Sequence, residues 1–120
     1  MVIIKIKDVD VEDRGDYSIK RMFTSVLSHS PENAGIYETT IPPNSAVKNH
    51  YHAKLDEIIY FITKGFVKIN SEEVEFDEGD LLVLESGDAH EIYAKHDEVR
   101  LLAIKLPNKV NDKVLVSSSN

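Results

Sequence analysis

Three imidazoles and one carboxylate, His50, His52, Glu57 and His90, carry the most chemically suggestive spacing in this sequence. In His50-Tyr51-His52 an extended strand turns both imidazoles to one face, because side chains repeat every two residues. Two nitrogen donors can then meet one ion. Glu57 lies five residues beyond His52, an odd step that a straight strand sends to the opposite face. A bend through Ala53-Lys54-Leu55-Asp56 restores it. Asp56 is the alternative carboxylate, and the spacing favours Glu57. His90 follows the apolar run Leu81-Leu82-Val83-Leu84 and a break at Ser86-Gly87-Asp88, so a neighbouring antiparallel strand is expected to carry it inward. The chain has no cysteine, and a metal site must therefore use imidazole and carboxylate. This donor set suits one divalent ion, Zn, Mn, Fe, Ni or Cu, with positions open for water or substrate. The donors alone do not choose among these metals.

The elements that must position these residues are short and rich in Val, Ile, Leu, Tyr and Phe, with Gly, Pro, Asn and Asp between them, the pattern of strands joined by turns. The reading is all-β, with strands over Val2 to Ile6, Met22 to Ser28, Ala34 to Ile41, Val47 to His52, Glu57 to Thr63, Phe66 to Ile69, Glu73 to Phe76, Leu81 to Leu84, Ala89 to Tyr93 and Val99 to Leu106. Pro42-Pro43-Asn44 makes a loop, since the prolines remove ladder donors and Asn tolerates the left-handed region. Lys64-Gly65, Asn70-Ser71 and Asp77-Glu78-Gly79-Asp80 are further turns. Such a rhythm favours a sandwich or barrel over a parallel α/β sheet. Val9 to Lys20 is polar and reads as a loop. Lys113 to Val116 is expected to add an edge strand, against a partner subunit. Ser117 to Asn120 is expected to fray.

At 120 residues the chain is the size of one domain, divided into an N-terminal strand and loop (1–20), a barrel core (21–107) and a C-terminal extension (108–120). A formal net charge of -7 gives a surface that repels phosphate backbones and anionic lipid headgroups, so neither nucleic acid nor membrane is expected as a partner. No apolar stretch approaches the roughly 20 residues that span a bilayer, and no signal peptide is evident. The lack of cysteine is compatible with the cytoplasm.

His50-x-His52-x4-Glu57 followed by Gly65 resembles the first motif of the cupins, and Gly79-Asp80-x4-Glu85-Ser86-Gly87-x2-His90 resembles the second. The resemblance covers about Ile41 to Tyr93 and points to small single-domain cupins. It implies a double-stranded β-helix, or jelly-roll barrel, with His50, His52, Glu57 and His90 as metal ligands opening into the barrel, and a homodimer. Three positions depart from the motif: Asn44 where Gly is common, Glu85 where Pro is usual, and Ala94 where Asn often follows. No departure removes a ligand.

An ion in an apolar barrel polarises a carbonyl or hydroxyl oxygen or activates bound water. The leading expectation is therefore a metal-dependent isomerase, lyase or dioxygenase acting on a small oxygen-rich molecule such as a sugar, uronate or oxo acid. A non-catalytic module that binds or senses a small ligand is the alternative, and a metal kept for stability alone is the third reading. No catalytic acid or base is assigned. His29 and His96 read as structural or solvated, and Arg14, Arg21 and Arg100 as surface charges more readily than anion anchors. Tyr37, Tyr60, Phe61 and Tyr93 either line the barrel or fill its core.

Overall fold

The structure, a computed structural model, describes residues 1–15, 18–23 and 33–117. Its strands are β1 (Val2–Ile4), β2 (Val11–Asp13), β3 (Ser18–Lys20), β4 (Gly35–Ile41), β5 (Ala46–His52), β6 (Asp56–Phe61), β7 (Gly65–Ile69), β8 (Glu72–Phe76), β9 (Leu81–Leu84), β10 (His90–Tyr93), β11 (Val99–Leu106) and β12 (Lys113–Leu115). One 3₁₀ turn, Ile6–Asp8, follows β1. No described helix is long and apolar enough to cross a membrane.

Two five-stranded antiparallel sheets form the barrel, in the orders β1-β9-β6-β11-β4 and β12-β5-β10-β7-β8. From β4 to β12 the chain winds back and forth between them, so that β4, β6, β9 and β11 belong to one sheet and β5, β7, β8, β10 and β12 to the other. This winding is the double-stranded β-helix of the jelly roll. Sheet crossing follows from patterning: each strand has one apolar face, and opposing two such sheets buries both. One cluster accordingly joins Ile59, Phe61, Leu82 and Leu101 of the first sheet to Val67, Phe76 and Ile92 of the second. Phe61 stacks on Phe76 with ring centroids 4.6 Å apart.

The inward face of β11 runs Val99, Leu101, Ala103, Lys105. The first three are buried and Lys105 is half-buried, so this strand passes from the packed end of the barrel to its open end. Asn44 adopts φ 59°, the left-handed region where Gly costs least and Asn is tolerated. The Glu85 amide donates to Asp88 Oδ2 at 2.9 Å, a hydrogen bond that Pro could not make. Ala94 is buried in the core. Each departure from the motif thus has a local structural use.

Val9 to Lys20, expected as a loop, contains the hairpin β2–β3 instead, with Val11 opposite Lys20 and Asp13 opposite Ser18. Glu12, Asp13, Ser18 and Lys20 are polar and carry no strong alternation, and that hid it. The edge strand expected after Asp112 exists: it pairs with β5, Lys113 opposite His52 and Leu115 opposite His50, and forms the edge of its sheet. Val2 to Ile6 ends early because the 3₁₀ turn begins at Ile6. Met22 and Phe23 lie outside any strand, and the rest of the expected Met22 to Ser28 strand, with His29, falls outside the described residues.

Candidate metal centre

His50 and His90 are direct cross-strand partners on β5 and β10. Opposite residues of an antiparallel pair share a face, so both imidazoles point into the barrel, and His52 follows two residues along. The ladder between β5 and β10 carries an irregularity: Ile92 pairs with Val47 while His90 pairs with His50, so β5 has one residue more than its partner over this stretch. Such bulges re-aim side chains. Here Val47 and His50, three apart and otherwise of opposite parity, both reach the same cavity.

Glu57 arrives from the other sheet. The turn after His52 carries the chain across to β6, where Glu57 pairs with Lys105 on one side and Leu84 on the other. The bend expected through Ala53-Lys54-Leu55-Asp56 is present, and it resolves the odd step from His52 by carrying the chain from one sheet to the other. Asp56, the alternative carboxylate, is fully buried and accepts from the Ser86 amide at 3.1 Å. The Ser86 hydroxyl donates to the Leu55 carbonyl at 3.1 Å and the Gly87 amide to the His52 carbonyl at 2.9 Å. The turn preceding His90 is thus docked onto the segment between His52 and Glu57, and both motifs are fastened together at the site.

Histidine nitrogens of His50, His52 and His90 lie within 4.8 Å of one another, an arrangement that could hold a metal ion. Glu57 Oε1 stands 3.6 Å from His52 Nε2 and 3.7 Å from His90 Nε2. All four residues are at most 5% exposed. Nδ1 of His50 lies 2.7 Å from the Lys48 carbonyl, and Nδ1 of His90 lies 3.0 Å from that of Asp88. A carbonyl only accepts, so in each neutral ring Nδ1 carries the proton and Nε2 keeps its lone pair. Metal-bound histidines are oriented by this kind of outer hydrogen bond. His52 Nδ1 and His90 Nε2 are buried without a hydrogen-bond partner. Buried polar atoms without partners are uncommon, and an absent ion is one of the few reasons for them. The residues present therefore fit a divalent cation.

Burial and the neighbouring His90 lower the pKa of His50 from 6.5 to about 4, against the Lys48 hydrogen bond; Lys113 and His52 push the same way. Burial lowers His90 too. For Glu57 burial alone acts upward, but the contact with His52 and the charges of His52, His90 and Lys105 hold its carboxyl below the ordinary range. The metal-free site thus favours two neutral imidazoles, each protonated only at Nδ1, beside an ionised carboxylate, the protonation that metal binding needs.

The four residues close one end of a cavity of about 400 Å³. Val47, Ile59, Ile92, Leu101 and Ala103 make its apolar wall, and Tyr37, Lys105, Lys109, Asp112 and Lys113 line it nearer solvent. Of the aromatic residues, Tyr37 joins this lining, Phe61 fills the core, Tyr60 is exposed, and the Tyr93 hydroxyl donates outside to Glu73. Arg14 and Arg21 pair with Glu12 and Arg100 pairs with Glu38; none lines the cavity, and His96 is exposed. Sequence reasoning missed the lysines. A signal existed at Lys105, the charged residue that ends the inward alternation Val99, Leu101, Ala103.

The family model for the cupin domain matches residues 37–105. No curated protein matches the sequence. Among solved structures, a cupin protein from Bacteroides fragilis is similar at 21% identity, over 82% of this chain and 93% of that one, with a TM-score of 0.58. A sugar phosphate isomerase of the cupin superfamily from Silicibacter pomeroyi shares 18% identity over 64% of this chain and 52% of its own, with a TM-score of 0.59. The DMSP lyase of Ruegeria pomeroyi shares 15% over 74% and 46%, with a TM-score of 0.64. The chain spans about half the length of these two enzymes. Likeness at such identities shows the fold alone.

Proposed function

This chain belongs to the cupin domain family, and from that premise we propose that it is a metal-dependent enzyme acting on a small oxygen-rich molecule, a sugar, uronate or oxo acid. The observation that carries the reading is the burial of three imidazoles and an ionised carboxylate, two of their nitrogens without partners, at the end of a cavity with apolar walls. His50, His52, Glu57 and His90 would hold one divalent cation. Bound there, the ion would supply Lewis acidity to a carbonyl or hydroxyl oxygen. The residues do the rest. The Lys48 and Asp88 carbonyls hold two rings with their lone pairs inward, and the apolar wall excludes water and strengthens every electrostatic contact inside. An isomerase and a lyase among the similar folds are compatible with this chemistry without selecting one reaction.

A specific observation also favours a second reading, a cupin that binds without turnover. Two groups in the cavity lining able to transfer a proton are engaged: the Tyr37 hydroxyl donates to Asn108 Oδ1 at 2.5 Å, and Asp112 Oδ2 accepts from the Lys54 amide at 2.9 Å. Elemental mass spectrometry on protein purified without a tag or added metal comes first. About one equivalent of metal per chain, followed by conversion of any member of a panel of sugars, uronates and oxo acids, supports the enzyme. Metal with ligand-induced stabilisation but no conversion supports the binding module. No metal as purified and none on titration overturns the enzyme reading and leaves the binding module.

A further inference from the structure

We propose that the cavity selects an anion: a small molecule bearing a carboxylate or phosphate whose charged end is held by Lys105, Lys109 and Lys113, with its remaining oxygens directed to the histidine end. The inference rests on the metal-enzyme reading only for what happens at that histidine end. Its own ground is strand register. Lys113 is the direct cross-strand partner of His52, and Lys105 of Glu57. Opposite residues in an antiparallel pair face the same way. Each sheet therefore places a lysine one strand outward from a residue of the buried cluster, on the cavity side, and Lys109 lines the cavity from the connection between β11 and β12.

Charge points to the same occupant. The chain carries a net -7, yet the lining of this cavity holds three ammonium groups against Glu57 and Asp112, and Asp112 already accepts from the Lys54 amide. Among the described residues, none of the three lysines forms an ion pair. Lys105 Nζ sits 4.9 Å from the centre of the Tyr37 ring, which orients it without neutralising it. Like charges gathered at an apolar cavity raise its potential and concentrate the opposite charge there. The volume, about 400 Å³, lies in the range of small-molecule sites and below that of extended polymers.

The test is calorimetric titration of gluconate, glucose 6-phosphate and the neutral polyol sorbitol into the metal-loaded and the chelated protein. The same titrations are run on a Lys105→Gln/Lys109→Gln/Lys113→Gln variant and on the corresponding triple Arg variant. At least one anion should bind about tenfold or more tighter than sorbitol, and the Gln variant should lose about tenfold or more of that affinity along with much of its salt dependence. The Arg variant, which keeps the charges, should retain binding; preference for one anion identifies carboxylate or phosphate. Equal binding of sorbitol, no binding of either anion, or a Gln variant that binds as the wild type does overturns the proposal, as does affinity that follows the metal and ignores the lysines. Lysine-dependent binding in a protein that takes up no metal would leave this inference standing and remove the enzyme reading alone.

Discussion

His52 and Glu57 meet across the barrel at 3.6 Å, and their replacement separates the readings of the site. His52→Ala is expected to abolish stoichiometric metal while leaving the circular dichroism of the barrel intact, because the core cluster does not include the site. A large fall in melting temperature along with metal loss would mark a structural metal instead. Glu57→Gln keeps the shape and removes the charge, and metal affinity measured by competition with a chelator should fall by more than the roughly 10- to 100-fold that loss of an outer hydrogen-bond partner costs. The histidines also set a pH dependence for the metal-free protein. His50 titrates near 4 in the folded chain against 6.5 as an ordinary imidazole, and His90 is lowered as well. Between these values the unfolded chain binds protons that the folded chain does not. Stability is therefore fully present above about 6.5 and is lost as pH falls toward 4. Urea denaturation at pH 7 and 4.5 should show this loss, and it should be smaller in a His50→Gln variant. Equal pH sensitivity in the variant would place the effect elsewhere.

Gly65 and the β5 bulge show what single elements contribute. A Cβ on Gly65 would stand 2.8 Å from Phe61 Cε1 and 3.0 Å from Val99 Cγ1, and Phe61 is clamped against Phe76. Gly65→Ala overpacks the barrel, and a loss of about 1–3 kcal/mol is expected from chemical denaturation. A loss below about 0.5 kcal/mol would mean that the Phe61 ring yields freely. Gly65 was visible in the sequence as a turn residue next to Lys64, and its real constraint, a neighbouring ring, was not. The bulge was equally hidden. Strand parity explains His50 with His52, but an extra residue in β5 is a property of pairing between two strands, and it brings Val47 and His50 to one cavity. Strands β2 and β3 escaped for the opposite reason: Glu12, Asp13, Ser18 and Lys20 are polar and lack the alternation by which half-buried strands are recognised.

Across the whole molecule, the N-terminal segment is fastened far along the chain. Asp80, fully buried, accepts from the Ile6 amide at 2.7 Å and the Asp77 amide at 2.6 Å, and pairs with Lys5 Nζ at 2.5 Å. These contacts hold its carboxyl below the ordinary range even though burial acts upward. Lys5→Met removes the ammonium and keeps most of the side-chain bulk, so a cost of about 1.5–3 kcal/mol is expected, the scale of one hydrogen bond to a charged group. Hydrogen exchange should then report faster opening of β1 while β6 and β11 stay protected. Uniform loss of protection would instead mean that the N-terminal strand and the barrel unfold as one cooperative unit.

Much about this protein was local and could be read directly. The candidate ligands His50, His52, Glu57 and His90, the strand segments from Ala34 to Leu106, and the turns at Gly79 and Gly87, both with φ 90°, follow from residue type, alternation and the conformations that only some residues tolerate. Tertiary structure decided the rest. Glu57 faces the histidines because the chain changes sheets after His52, and β12 returns to pair with β5. Lys105 and Lys113 enter the cavity because each lies opposite a residue of the site. Alternation assigns a side chain to one of two faces of its strand. Which sheet that face looks toward, and what stands opposite, depends on pairing between residues as far apart as His52 and Lys113, and no local pattern carries that information.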